Sequence, residues 1–143
     1  LTSADETGGT YDVTDSVQTP GARTPLHLHT RYEERLYILE GEATVWLGDE
    51  TLTLGVGDFV KIPMHVPHAV QSGPEGSRAL NITSPAGFAE LIARAGTPAA
   101  EAGESTQMNV DLFAQVSAEL GDVVLGPPGM TPADLPPSDR PSS

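Results

Sequence analysis

The sequence predicts an all-β protein built as one small barrel or sandwich. Residues 10–80 consist of short alternating or apolar runs separated by glycine, proline and acidic turn residues, a pattern typical of antiparallel strands. A chain of 143 residues is long enough to bury one core but not two. Because the chain contains no cysteine, any bound metal must be held by imidazole and carboxylate groups.

Two tight turns divide the middle of this segment. Residues 48–50 (Gly-Asp-Glu) stand at hairpin distance between two runs, and Gly55, Gly57 and Asp58 mark a second reversal. Seven strands within about 75 residues indicate a sandwich or barrel. The predicted strands are Thr10–Gln18, Arg35–Leu39, Ala43–Leu47, Thr51–Leu54, Phe59–Ile62, His68–Gln71 and Ala79–Thr83.

After residue 84 the apolar period changes from two to about 3.6 residues, which predicts two helices packed outside the barrel. The first ends before Gly96, with Ser84 as its N-cap and Pro85 in its first turn. The second is predicted at Val110–Leu120, with Asn109 as its cap. The apolar faces of the two helices comprise Phe88, Leu91, Ile92, Ala95, Leu112, Phe113, Val116 and Leu120.

The end of the chain is rich in proline. Residues 126–143 are also polar, so they cannot supply a core of their own and are expected to be extended or disordered. The predicted organisation is a barrel at residues 1–84, C-terminal helices at 85–121 and a Pro-rich tail at 122–143.

The acidic balance of the chain excludes some classes of partner. Its 7 Lys and Arg residues against 20 Asp and Glu give a formal net charge of −13, which repels nucleic-acid phosphates and anionic lipids. No stretch approaches the ~20 apolar residues needed to cross a membrane. We therefore expect a cytoplasmic protein that binds neither nucleic acid nor membranes. The exposed strand edges of a small barrel further predict a homodimer.

One segment carries residues suited to metal binding. If it is extended, His27 and His29 point to the same face about 7 Å apart along the backbone, close enough to chelate one cation. Glu34 can return an oxygen ligand after a short turn, although Glu33 competes for this role. Spacing alone does not locate a third imidazole; His68 is the candidate because it opens a strand after a proline-bounded turn. Such ligands suit one divalent ion, with Fe, Mn, Ni, Co and Zn all compatible.

Two motifs around these residues resemble those of the cupin superfamily. The motif G-x5-H-x-H-x(3,4)-E-x6-G is matched at residues 21–41 by Gly21, His27, His29, Glu34 and Gly41. Residues 57–72 are similar to the second motif, G-x5-P-x-G-x2-H-x3-N, with two departures. His65 replaces its central glycine, and Ser72 replaces its final asparagine.

The resemblance implies a cupin jelly-roll β-barrel in which His27, His29, Glu34 and His68 are the metal ligands. The first helix and its end are similar to the tail of small single-domain cupins related to quercetin 2,3-dioxygenase. This likeness implies an oxidoreductase, a dioxygenase acting on a small oxygen-rich molecule, with Glu34 as the base. Two alternatives stay open, because the fold hosts several functions. One is a non-oxidative polyketide cyclase, isomerase or decarboxylase, and the other is a binding protein without turnover.

Four further residue positions are predicted around the site. Leu36 and Ile38 lie at even offsets from Glu34, so they are expected to form an apolar wall on the same face. Arg31 and Tyr32 are placed at the mouth of the pocket. His65 is expected to serve its turn rather than the site. Trp46, the single tryptophan of the chain, is predicted to be a core residue of a barrel strand.

Overall fold

Seven antiparallel strands form the sheet of this protein, which a computed structural model describes at residues 1–98, 100–101, 103 and 109–140. The order of neighbouring strands is β4-β3-β6-β2-β7, with β1 paired to β6 and β5 paired to β3. The strands are β1 (Asp12–Gln18), β2 (Leu26–His29), β3 (Glu33–Leu47), β4 (Glu50–Leu54), β5 (Phe59–Ile62), β6 (His68–Ser84) and β7 (Asp122–Gly126). The helices are α1 (Ala4–Thr7), α2 (Phe88–Ala95) and α3 (Val110–Glu119). The all-β jelly-roll prediction is confirmed.

The two longest strands, β3 and β6, pair with each other along their whole length. Each of them was predicted as two shorter strands, and that prediction was wrong. The pairing shifts register between Ile38 and Glu40 and again between Gly41 and Ala43. Such irregularities bend a strand without ending it. Gly41 is required at the bend, because its φ is 70° and a Cβ there would overlap the carbonyl oxygen of Gly76.

The inner face of this bent sheet carries the main core. Period-two alternation along β3 turns Leu36 and Ile38 inward, where they pack with Val45 and with residues from β4 and β5. The buried members of the cluster are Leu36, Ile38, Ala43, Val45, Leu54, Val60 and Ile62. The predicted apolar wall is therefore present.

Strand β2 is short and depends on the C-terminal segment of the chain. It meets β6 at one residue pair, His27 with His68, whereas β7 pairs with all four of its residues. The predicted Pro-rich tail covers residues 122–143, with extended or disordered chain expected from residue 126 onward. That prediction was wrong for β7, and Leu135 in the tail is buried against Leu26 and Ala69. The apolar residues scattered among the prolines are covered by the barrel instead of forming a core of their own. The predicted domain boundaries stay a prediction.

The two C-terminal helices pack against each other through Leu91, Ala95 and Val116. The side chain of Asn109 accepts a hydrogen bond from the Leu112 amide, as predicted for the cap of α3. The N-cap of α2 is Gly87, not Ser84, because residue 84 still belongs to β6. Ile92 is 45% exposed and so does not lie on the inner face as predicted. None of the helices in the described ranges has the length and apolar character needed to span a membrane.

Candidate metal centre

Three histidines converge inside the barrel. His27 and His29 lie on β2, and His68 is the first residue of β6, directly opposite His27. One ring nitrogen from each histidine lies within 4.8 Å of the other two. Ligands of a single ion at about 2.1 Å are at most about 4.2 Å apart, so small inward movements of the rings would suffice.

The second ring nitrogen of each histidine is engaged by an acceptor. Nδ1 of His27 donates to the Pro25 carbonyl at 2.7 Å, and Nδ1 of His68 donates to the Val66 carbonyl at 3.0 Å. Nδ1 of His29 lies 2.6 Å from Oδ1 of Asp122. Because a carbonyl oxygen can only accept, the proton of a neutral His27 or His68 sits on Nδ1. Nε2 of both rings is then an unprotonated donor atom, as a metal ligand requires.

His68 supplies the clearest indication that these residues fit a metal ion. Its side chain is fully buried, yet its Nε2 has no hydrogen-bond partner among the described residues. The nearest charged atom is Oε2 of Glu34, at 3.7 Å. A buried polar atom without a partner costs about 1–3 kcal/mol. An imidazole and carboxylate donor set around this atom fits a divalent transition metal.

The side chain of Glu34 extends from β3 toward Nε2 of His29 and of His68. Its Oε2 accepts a hydrogen bond from Nε2 of His29 at 3.1 Å, and its Oε1 accepts one from Nδ2 of Asn81 at 2.8 Å. Glu33, the competing residue, instead pairs with Arg35 and Lys61 on the outer face. The alternation of side chains along β3 explains this division, since neighbouring residues of a strand point to opposite faces. The structure thus brings together all four residues singled out from the sequence.

The buried groups shift one another's pKa values. Burial and the neighbouring His68 and His29 lower the pKa of His27 to about 4. Burial also acts to lower the pKa of His29, but hydrogen bonds to Asp122 and Glu34 outweigh it and raise the pKa to about 9. Burial acts to raise the pKa of Glu34, yet the hydrogen bond from His29 and the nearby imidazole of His68 hold that pKa well below its usual range. Without metal, a charged His29 therefore lies between two carboxylates at neutral pH.

A cavity of about 150 Å³ opens onto the three histidines and Glu34. Leu36 and Ile38 supply apolar lining, and Asn81, the cross-strand neighbour of Leu36, is one of several polar groups. Other lining residues are Ser16, Gln18, Ser72, Ser77, Val70 and Phe88. The cavity thus combines an apolar wall with many polar side chains, which can bind and orient a small polar molecule.

Two of the predicted pocket residues lie elsewhere. Tyr32 is 2% exposed and stacks on His29 behind the site, with ring centroids 4.5 Å apart, so its prediction as a mouth residue was wrong. The same holds for Arg31, which donates to the Glu119 carbonyl on the surface. Both residues lie in the connection between β2 and β3, outside the set that lines the cavity. His65 has a φ of 66° and an exposed side chain outside the histidine cluster, as expected for a residue that takes the place of a turn glycine. Trp46 is half-buried and packs against the cluster around Leu26, as predicted for a core residue.

Sequence reasoning missed two residues of the site, Asn81 and Asp122. Asn81 was within reach of prediction, because it lies in a strand expected to face the cavity and a buried amide needs a partner. Asp122 carried no such signal, since it follows His29 by 93 positions. Only the pairing of β7 with β2 brings it to the ring.

Known proteins resemble the chain mainly over the barrel. The family model described as Cupin domain matches residues 16–82. Quercetin 2,3-dioxygenase of Bacillus subtilis is 27% identical over 92 residues, which cover 64% of this chain and 27% of that protein. An uncharacterized protein of Methanocaldococcus jannaschii is 32% identical over 65 residues, 46% of this chain and 52% of that protein. The solved structure of KdgF from Halomonas sp. has a TM-score of 0.52 at 25% identity and covers 54% of this chain and 70% of that chain.

The extent of these matches is limited. The matched region spans about a quarter of the Bacillus protein and about half of the Methanocaldococcus protein. The family model ends within β6, so α2, α3 and β7 lie beyond it.

Proposed function

This chain belongs to the cupin superfamily, and from that premise we propose that it is a metal-dependent enzyme acting on a small oxygen-rich organic molecule. The observation that carries the proposal is the buried Nε2 of His68, which has no hydrogen-bond partner in the described part of the chain and faces two further imidazoles and a carboxylate. The proposed ligands are His27, His29, Glu34 and His68. A quercetinase-like dioxygenase is the activity we favour within this class, because the Bacillus relative is named as one.

Glu34 is the proposed base of the reaction. A divalent transition metal in this site would act as a Lewis acid on a bound hydroxyl group and, if redox-capable, would support reaction with dioxygen. Asn81 holds Oε1 of Glu34 and leaves Oε2 facing the cavity, where it can accept the hydroxyl proton. In the metal-free protein the hydrogen bond from His29 outweighs burial, lowers the pKa of Glu34 and keeps its carboxylate ionised.

The size of the cavity bears on the substrate. A cavity of about 150 Å³ is of the size that encloses benzene, and pockets for larger ligands range from about 300 to 1,000 Å³. A three-ring flavonol would therefore extend out of the cavity, whereas a one-ring enol or hydroxyketone would be enclosed. This observation favours a substrate smaller than a flavonol, on which either a dioxygenase or the second candidate, a non-oxidative cupin, could act through the same residues.

Metal content is the first test of the proposal. We expect about one equivalent of a transition metal by mass spectrometry in the purified or reconstituted protein, and its loss in His27→Ala. His65→Ala is the matched control, because it removes an exposed histidine outside the cluster and leaves the metal in place. Failure of the wild type to retain any metal after reconstitution would refute the proposed function.

Oxygen uptake then separates the two candidate activities. One-ring enols and flavonols are supplied to the metal-loaded protein, and both dissolved oxygen and substrate are followed. Oxygen consumption that matches substrate loss supports the dioxygenase, and substrate loss without oxygen consumption supports the non-oxidative cupin. Substrate that is bound and recovered unchanged indicates a binding protein. In either enzyme, Glu34→Gln is expected to abolish turnover.

A homodimer is also part of the proposal. The outer face of β1, β6, β3 and β5 exposes Val17, Tyr37 and Phe59 to 76%, 37% and 53%. The charged residues on this face are already paired: Arg78 with Asp15 and Glu40, and Arg35 and Lys61 with Glu33. In a chain of net charge −13, this locally neutral apolar face is where a second copy can approach with least repulsion. The cytoplasmic location stays a prediction.

A further inference from the structure

Asp122 is a buried carboxylate directly opposite His29 in the β2–β7 ladder. It is 8% exposed, and its Oδ1 lies 2.6 Å from Nδ1 of His29. Two hydroxyl groups donate to its other oxygen, Oδ2: Ser117 at 2.8 Å and Tyr32 at 3.3 Å. Both oxygens of the carboxylate are therefore occupied, and its orientation is defined.

The contacts of Asp122 fix the orientation of the His29 imidazole. Oδ1 can accept a hydrogen bond from His29 only if Nδ1 carries the proton, so Nε2, which faces Glu34 and the other two histidines, is the nitrogen left to bind a metal ion. Tyr32 stacks on the same ring with an interplanar angle of 27°, so the ring is held on its face as well as at its edge. A carboxylate behind a metal-binding imidazole also makes the imidazole a stronger ligand.

Asp122 and Ser117 come from outside the region that the family model matches, whereas Tyr32 lies within it. Asp122 is the first residue of β7 and Ser117 lies on α3, whereas the family model ends at residue 82. Strand β7 also pairs with all four residues of β2, which carries two of the three histidines. The C-terminal segment therefore holds β2 in place and also fixes the imidazole ring of His29.

We propose that Asp122 is a positioning residue of the metal centre and that β7 and α3 are structural parts of that centre. The inference rests on the proposed function in one respect, namely that the histidine cluster binds a metal. It goes beyond the family in assigning part of the centre to residues 117 and 122, which the cupin domain does not include.

The affinity for metal tests this inference without any substrate. Dissociation constants for Co(II) and Zn(II) are measured by competition with a chromophoric chelator in wild type, Asp122→Asn and Asp122→Ala. Loss of the carboxylate behind a ligating histidine weakens metal binding by about 10–100-fold. We expect a value in this range for Asp122→Asn and a greater loss for Asp122→Ala, together with altered Co(II) absorption bands.

Asp12→Asn is the matched control. Asp12 is another buried carboxylate, 1% exposed, but it accepts from Thr83 and from the amides of Gly87 and Ala89 at the start of α2. Its substitution should lower stability and leave the Co(II) spectrum and metal affinity within about threefold of wild type. Equal metal affinities in wild type and Asp122→Asn would overturn the positioning role and leave the proposed function intact. No metal binding by wild type would overturn both.

A second measurement does not depend on the folding of any Asp122 variant. In ¹⁵N-labelled, Zn(II)-loaded wild type, long-range imidazole correlations report which nitrogen of His29 carries its proton. We expect protonated Nδ1, with its proton shifted downfield by the short bond to Asp122. Detection of the proton on Nε2 would contradict the proposal. Ser117→Ala, which keeps the carboxylate but removes one of its donors, should weaken metal binding less than Asp122→Asn.

Discussion

Nδ2 of Asn81 donates a 2.8 Å hydrogen bond to Oε1 of Glu34, and this bond determines which carboxylate oxygen faces the histidines. Asn81 lies on β6 opposite Leu36, so the bond crosses directly between neighbouring strands. Both residues are buried, which leaves the freed Oε1 little access to water if the donor is lost. The position of the proposed base therefore depends on an amide from a different strand.

Substitution Asn81→Leu is expected to lower turnover by about tenfold or more, because Glu34 would no longer be held in one orientation. The three histidines keep their own partners, so metal content should stay near that of wild type. Turnover and metal content measured on the same preparation test this expectation. Ser77→Ala serves as the control, since Ser77 lines the cavity but its side chain bonds Ser72 and not Glu34. Unchanged turnover in Asn81→Leu would show that Glu34 needs no such support.

The stability of the metal-free protein should be greatest near pH 6.5. The pKa of His29 is about 9 in the folded state against about 6.5 unfolded, so the folded state binds more protons between these values. Stability is then fully present below pH 6.5 and is lost as the pH rises toward 9. The pKa of His27 is about 4, so the unfolded state binds more protons between pH 4 and 6.5 and stability falls with acid.

Urea unfolding of metal-free protein across pH 4–9 measures this effect. The loss of stability above pH 6.5 (the alkaline limb of the profile) and the loss below it (the acidic limb) are each expected to be on the order of 2–3 kcal/mol in the free energy of unfolding. One pKa unit corresponds to about 1.4 kcal/mol. His29→Gln should remove the alkaline limb and His27→Gln the acidic one. A flat profile in wild type between pH 6.5 and 9 would mean that His29 is not charged between its two carboxylates.

The bend of β3 predicts a strong difference between two glycines. Gly41 and Gly57 both have positive φ, 70° and 88°, but an added Cβ would overlap the Gly76 backbone only at position 41. Gly57→Ala should cost about 1–2 kcal/mol for the left-handed backbone alone. Gly41→Ala should cost roughly 3 kcal/mol or more, because the steric overlap adds to the same backbone cost. Denaturant unfolding of the two variants compares these costs, and equal values would argue against close packing at the bend.

The four proposed ligands could be predicted because local rules govern them. His27 and His29 share a face by the two-residue period of a strand, and Glu34 and His68 follow from motif spacing. The length of β3 could not be predicted in the same way, because Gly41 indicates a turn and only its pairing with β6 converts it into a bend. Asp122 was missed for a related reason. A four-residue strand such as β2 depends on its neighbours in the sheet for stability. Its neighbour β7, which carries Asp122, is far away in the sequence, beyond α2 and α3, so local patterns do not reveal the pairing.

Phe59→Glu tests the proposed dimer face. Phe59 lies opposite Tyr37 in the β3–β5 ladder, and both side chains point away from the cavity. A charge at residue 59 adds like-charge repulsion and removes apolar area at the β5 end of this face, so the variant should be monomeric at concentrations where wild type is dimeric. Sedimentation velocity measures both. Val56→Glu is the control, because Val56 is 68% exposed in a turn outside these strands. Loss of the dimer in Val56→Glu and its retention in Phe59→Glu would place the interface elsewhere, and a wild type of 14.9 kDa at all concentrations would rule out the dimer itself.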